Sequence, residues 1–129
     1  MINIKEMSRE FDKVEQYLMT VSPAMVSMKD VQDGTKITVA GTLLFDDTKE
    51  TGSNAGETTE VLSVITPDKQ VYSCQSATFK RSLKDIANIM DGQEFTIIKT
   101  SGKTKAGRDY IDCQLDIASI APATGKSKK

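Results

Sequence analysis

Apolar residues recur at spacings of three and four near the start of the chain, at Ile4, Met7, Phe11, Val14 and Leu18, and Asn3 stands before them as a cap. This spacing predicts an amphipathic helix that ends before Pro23 and lays its apolar stripe on the rest of the domain. A different period begins after the turn signal Asp33-Gly34. From Lys36 to Phe45 polar and apolar residues alternate, which puts Ile37, Val39, Leu43 and Phe45 on one face of a strand. Gly41 inside that strand marks a bulge or sharp coil, a device that lets one long strand turn a corner and serve two sheets.

Asp46 to Thr59 is polar and rich in Gly, Thr and Glu, and reads as a long mobile loop. Val61 to Ile65 and Val71 to Cys74 form a hairpin around Pro67-Asp68, a pair suited to a tight turn. Phe79, Leu83, Ile86, Ala87 and Met90 return to helical spacing, with Thr78 or Ser82 as cap and Asp91-Gly92 as stop. Glu94 to Lys99 and Tyr110 to Ile117 are the last two strands, with Ile111, Cys113, Leu115 and Ile117 facing inward. The order is helix, three strands, helix, two strands. That order predicts a mainly β protein with α+β content, a five-stranded OB-fold barrel with an N-terminal helix and a second helix between strands three and four. Residues 1–33 are then the helix and lead-in packed on the barrel, 34–120 the OB-fold domain, and 121–129 a disordered basic tail.

A chain of 129 residues can bury enough apolar surface to fold as one domain without disulfides or metals. Its apolar runs fall short of the ~20 residues that cross a bilayer. The opening Met1-Ile2-Asn3-Ile4-Lys5-Glu6-Met7 alternates and does not run from basic to apolar as a signal peptide does, so a cytoplasmic location without a membrane partner is expected. Cys74 and Cys113 fall inside predicted strands, where cysteine acts as a small buried hydrophobe. With no histidine in the chain, the commonest general base and the usual zinc partner of cysteine are missing. The expectation is a protein that is not an enzyme, takes no cofactor or metal, and has no small-molecule substrate.

Net charge is only -1, yet it is unevenly spread. Up to Phe79 seven basic residues face twelve acids, whereas from Lys80 to Arg108 seven basic residues face three acids, so the basic footprint is local. Lys99-Thr100-Ser101-Gly102-Lys103-Thr104-Lys105-Ala106-Gly107-Arg108-Asp109-Tyr110 concentrates it on one hairpin. Lys99, Lys103, Lys105 and Arg108 can neutralise phosphates, the hydroxyls can donate to phosphate oxygens, and the glycines let backbone approach a ligand. If Ile111 and Cys113 face the core, Tyr110 faces out as a stacking ring. Lys80 and Arg81, with Lys84, make a second basic group at the start of the internal helix, either a solvated face or a phosphate contact. Tyr72 sits on a strand with no clear inward face and is either core or stacking platform, while Phe11, Phe79 and Phe95 fit apolar stripes and belong to the core. Gly102-Lys103-Thr104 looks like the end of a P-loop, but Ile97 stands where that motif needs glycine, and a strand follows in place of a helix. Asp46, Asp47, Asp109, Asp112 and Asp116 lack metal-ligand spacing and read as solvated charges.

Ser76-Ala77-Thr78-Phe79, the basic hairpin from Ser101 to Ile111, and Val26-Ser27-Met28-Lys29-Asp30-Val31 together resemble small single-stranded DNA-binding proteins of tailed phages and related mobile elements. The resemblance runs from about the end of the first helix to Ile117 and implies an OB fold that coats single strands exposed during replication or recombination. Bacterial single-strand binders commonly end in an acidic recruiting tail, whereas this chain ends Lys126-Ser127-Lys128-Lys129. The sequence therefore leads to sequence-tolerant binding of single-stranded DNA, with the Asp46 to Thr59 loop closing over the strand and an outer strand open to pairing in a homodimer. The alternative is a protein-interaction adaptor or inhibitor on the same fold, without nucleic-acid binding. A third reading, a small metal-dependent nuclease, would need a divalent ion held by the aspartates.

Overall fold

The computed structural model describes residues 2–117 except 54 and 92, so the tail expected over 121–129 lies outside the described residues. Eight strands among the described residues form two sheets. One has the order β1 (Ile2–Met7), β4 (Gly41–Thr48), β5 (Thr58–Ile65), β6 (Val71–Cys74) and β2 (Val26–Ser27); the other runs β3 (Lys36–Val39), β7 (Phe95–Lys103) and β8 (Asp109–Leu115). Two helices, α1 (Lys13–Thr20) and α2 (Ala77–Met90), and a 3-10 turn over Met28–Asp30 complete the chain. The molecule is thus mainly β. Among the described residues β6 and β8 share no ladder, and the two sheets do not close into a barrel.

The long strand expected from Lys36 to Phe45 is interrupted at Ala40, and its halves belong to different sheets. Lys36–Val39 pairs with β7, placing Val39 opposite Phe95, while Gly41–Thr48 pairs with both β1 and β5. The corner needs glycine for lack of space. A Cβ built on Gly41 would stand 2.6 Å from Cζ and 2.7 Å from Cε1 of Phe11. Arg9 reinforces the corner, with its guanidinium 4.3 Å from the Phe11 ring centre and its Nε donating to the Ala40 carbonyl at 3.2 Å.

The N-terminus departs from expectation. Ile2–Met7 is not the first part of a helix but an edge strand paired with β4, and the helix is confined to Lys13–Thr20. Ile4, Met7 and Phe11 also suit a strand leading into a turn, and the ladder to β4 satisfies backbone groups that a helix would satisfy internally. Asp12, not Asn3, caps the helix: its carboxylate accepts from Glu15 N, and Glu15 Oε1 accepts from Asp12 N, a reciprocal capping box. The second helix also starts earlier than expected, with Ser76 as cap in place of Thr78 or Ser82 and Asp91 in the left-handed conformation at its end.

Alternation along β4 and β5 divides the core between the two faces of the larger sheet. Leu44, Leu62 and Val64 face the space shared with β3, β7, β8 and α2, where Phe79, Leu83, Phe95 and Ile97 are buried with them. Leu43, Phe45, Val61 and Ile65 face the opposite side, covered by Phe11 and Met19, and Leu18 packs against them. The stripe of α1 therefore packs on the domain, although Val14, Tyr17 and Val21 remain exposed. Phe11, Phe79 and Phe95 are buried as the sequence predicts. Ile117, expected inward, lies beyond the last ladder and is exposed, whereas Asp116, expected solvated, is buried and bound to Lys36 at 3.3 Å. Its backbone N donates to the Thr96 carbonyl, which turns its side chain under the sheet edge.

The loop expected from Asp46 to Thr59 is shorter than its composition implies. Asp46, Asp47 and Thr48 still pair with Glu60, Thr59 and Thr58. The connection itself is laced by hydrogen bonds from Lys49 N to the Glu57 carbonyl and from Gly56 N to the Lys49 carbonyl. Polar and glycine-rich composition here reflects the far end of the β4–β5 hairpin, which runs past both cores and leaves Asp47, Lys49, Glu57 and Thr58 exposed.

Two carboxylates are held at charge by paired cations. Glu15 is gripped by Arg9 and Lys69 and held down to about 2, and Glu60 is gripped by Lys5 and Lys80 and likewise lowered to about 2. A lowered carboxyl favours the fold above its unfolded value of 4.5, and that contribution is lost as pH falls. The midpoint of thermal unfolding should therefore decline between pH 4.5 and about 2, and Glu15→Gln with Glu60→Gln should flatten that decline. Gly41→Ala should cost about 1–3 kcal/mol in urea unfolding, because Phe11 must leave the corner, and Phe11→Leu should relieve part of that cost.

Candidate functional site

The β7–β8 hairpin carries the exposed cations Lys103, Lys105 and Arg108 at its far end. Its ladder runs to the pair Lys103–Asp109, and beyond it Gly107 N donates to the Thr104 carbonyl with Gly107 at φ 86, a conformation suited to glycine. Thr104 N then donates to the Arg108 carbonyl and Arg108 N to Thr104 Oγ1, which fixes the tip. Lys105 and Arg108 are exposed on it and, among the described residues, enter no ion pair. Lys103 is exposed as well, with its Nζ 2.6 Å from Asp109 Oδ1.

Tyr110 stands directly opposite Gly102 across the ladder and is partly exposed. A Cβ on Gly102 would meet the Tyr110 hydroxyl at 2.6 Å and Cζ at 2.8 Å. Gly102 thus makes room for the phenol, which lies across the hairpin, more than for a ligand's close approach. Ile111 and Cys113 turn toward the core, as the outward reading of Tyr110 requires.

Lys99 departs from its expected role as a free phosphate contact. Only 5% of its side chain is exposed, and its Nζ donates to Asp33 Oδ1 at 2.9 Å. The ladder explains the burial, since Lys99 pairs with Cys113 and follows Phe95 and Ile97 on the inward face. Ser101 donates to the other oxygen of Asp33, and the Ser101 hydroxyl and the Lys99 ammonium together hold that carboxyl below its ordinary range. Gly34 N to the Lys99 carbonyl and Lys99 N to the Thr35 carbonyl lace this turn to β7.

The second basic group divides. Lys80 is largely covered and committed to Glu60, with Nζ 2.9 Å from Oε1 and 3.2 Å from the carbonyl oxygen. Arg81 is exposed on α2, and Lys84 lies 3.6 Å from Glu6. Neither Lys80 nor Arg81 lines the same hollow as the hairpin. Tyr72 is half-buried, packed against the inner core and paired with Val64 and Val26.

The hollow beside the hairpin is the feature that motif reading missed. Where β6 and β8 part, a groove of about 890 Å³ opens between Ser73, Gln75 and Ser76 on one wall and Gly102, Tyr110 and Ile111 on the other. Ser27 and Lys29 close one side, and the Lys99–Asp33 pair with Ser101 forms part of the lining. Ser76 also spans the walls, its hydroxyl donating to the Ile111 carbonyl at 3.4 Å. These residues come from four separate segments, and no spacing shared by the four signals that they meet in one groove. Cys74 reaches the groove, but burial pushes its thiol up to about 11 and that of Cys113 to about 12, leaving both protonated at neutral pH. Among the described residues no three His, Cys, Asp or Glu side chains gather as metal ligands. No helix among them is long and apolar enough to cross a membrane.

Comparison with family models, with curated proteins and with solved structures finds no match to this chain. The functional reading accordingly rests on the geometry above.

The Lys99–Asp33 pair is asymmetric, with the cation covered and the acid half in water. Asp33→Ala should lower the unfolding midpoint more than Lys99→Met, because the first strands a covered ammonium and the second leaves only a solvated carboxylate. Equal losses would mean that the cation finds another partner.

Proposed function

We propose that this chain is a sequence-tolerant single-stranded DNA-binding module built on an open OB-type fold. Support for the fold comes from connectivity. One bent strand (β3 with β4) serves both sheets, β5 and β6 follow it, α2 intervenes, and β7 returns to pair with β3 and carries β8 on its other edge. The ladder between β6 and β8 that would close the barrel is replaced by the groove. The observation that carries the functional reading is the hairpin, which holds Lys103, Lys105 and Arg108 in solvent beside the partly exposed ring of Tyr110 at the groove's edge. Cations on a fixed turn neutralise successive phosphates, and a ring beside them offers a face on which any base can stack.

Lys99 and Lys80 are assigned to structural support in this reading, since both are committed to carboxylates in covered positions. Arg81 extends the basic surface only if the strand continues past the groove, and Tyr72 acts from the core side by supporting β6. A role in phage replication or recombination, and the likeness to phage single-strand binders, belong to the same proposal. A second reading, an adaptor domain that binds protein, draws support from the exposed row Val14, Tyr17 and Val21 on α1.

The test is fluorescence anisotropy of a labelled oligo-dT of about 30 nucleotides, long enough for several OB-type sites, beside a duplex of equal length across salt. The expected result is clear preference for the single strand, with a log–log salt slope near −2 if about three cations displace counterions. Lys103→Glu with Lys105→Glu should weaken binding at least about tenfold and flatten that slope by roughly two-thirds. Absence of binding at low salt would leave the adaptor reading in its place.

A further inference from the structure

The groove between β6 and β8 is a second part of the interface, distinct from the cationic hairpin, and we propose that it receives one unstacked nucleobase of the bound strand. This rests on the single-strand reading and assigns it a base-binding subsite. Its volume of about 890 Å³ lies within the range of small-ligand pockets and exceeds what one base fills. Electrostatics decides what part of a nucleotide enters. Asp33 and Asp109 line the groove already paired to Lys99 and Lys103, so a phosphate inside would compete with a carboxylate for each of those cations, whereas a neutral base displaces neither. Cations sit where phosphates would pass, with Lys29 on the lead-in side and Lys103 and Arg108 on the hairpin side.

The wall chemistry fits a ring with hydrogen-bonding edges. Tyr110 supplies an aromatic surface held in place by Gly102. Around it the polar groups are Ser27, Ser73, Gln75 and Ser101. A serine hydroxyl can donate or accept, and a glutamine amide does both, so each of the four bases finds complementary partners and none is excluded. β8 adds backbone: among the described residues its second edge pairs with no strand, and it borders the groove at Tyr110 and Ile111. Sequence tolerance then follows from the choice of side chains as well as from phosphate contacts. The lead-in Val26 to Asp33, whose β2 ends the five-stranded sheet, becomes part of the interface through Ser27 and Lys29.

The experiment compares oligo-dT with a fully abasic oligomer of equal length and charge, using wild-type protein and the double variant Ser27→Leu/Gln75→Leu. Gln75 is exposed and Ser27 makes no side-chain cap bond, so the variant should fold, which its unfolding midpoint checks. Wild type should bind oligo-dT about tenfold or more tightly than the abasic oligomer, the scale of a stacked base. The double variant should bring the two within about twofold while leaving abasic affinity unchanged. Equal wild-type affinity for both oligomers would overturn the base subsite and Tyr110 stacking together and leave only the phosphate contacts of the hairpin standing, whereas a double variant that keeps the full preference would overturn the subsite alone. If wild type binds neither oligomer, the single-strand reading and the subsite fall together.

Discussion

The packing of Phe11 into the space left by Gly41 is the constraint on which the architecture depends. At that corner one strand passes from the smaller sheet to the larger, and the absence of a side chain lets the ring press against the backbone. A bend there sets the angle between the sheets, hence the space that Phe79, Leu83 and Ile97 fill and the distance by which β6 and β8 remain apart. The groove is in this sense the far end of the same bend. Alternation then carries the consequence through β4 and β5, whose two faces feed two separate cores.

Much of this was legible in the sequence because it follows from short-range rules. Period-two alternation located β3 to β8 but not β1 or β2, the glycine at 41 marked the corner across which Ile37 and Val39 part from Leu43 and Phe45 into different cores, and the spacing of Phe79, Leu83 and Met90 marked the second helix. The failures have physical causes. Ile4, Met7 and Phe11 keep a helical period while Ile2 and Ile4 alternate as a strand does, and the choice was made by β4, distant in sequence, which offered a ladder. The cap of α2 moved to Ser76 because its hydroxyl meets both Phe79 N and the Ile111 carbonyl, a link that only the folded chain provides.

The site was legible in a similarly uneven way. Lys103, Lys105, Arg108 and Tyr110 occupy a local hairpin, so their shared exposure could be read from the turn and the strand parity. Lys99 could have been read correctly by the same parity, since it continues the inward row of Phe95 and Ile97, but charge made it look external. Its partner Asp33 lies 66 residues away, and no periodic signal connects them. The groove is harder still, because its walls are brought together by the meeting of sheet edges, and serines and a glutamine in such positions look like ordinary surface residues.

The pairing Lys103–Asp109 means that a cation of the proposed interface brings its own counter-ion within the fold. A phosphate arriving at Lys103 sheds its own condensed counterion, but the lysine gives up one carboxylate to gain another anion, so the direct attraction gained is small. The displaced Asp109 stays tethered a few bonds away and competes at high local concentration for the lysine it has lost. Under the proposed reading, that contact is easily surrendered, which suits a coat that must give way to whatever next uses the strand.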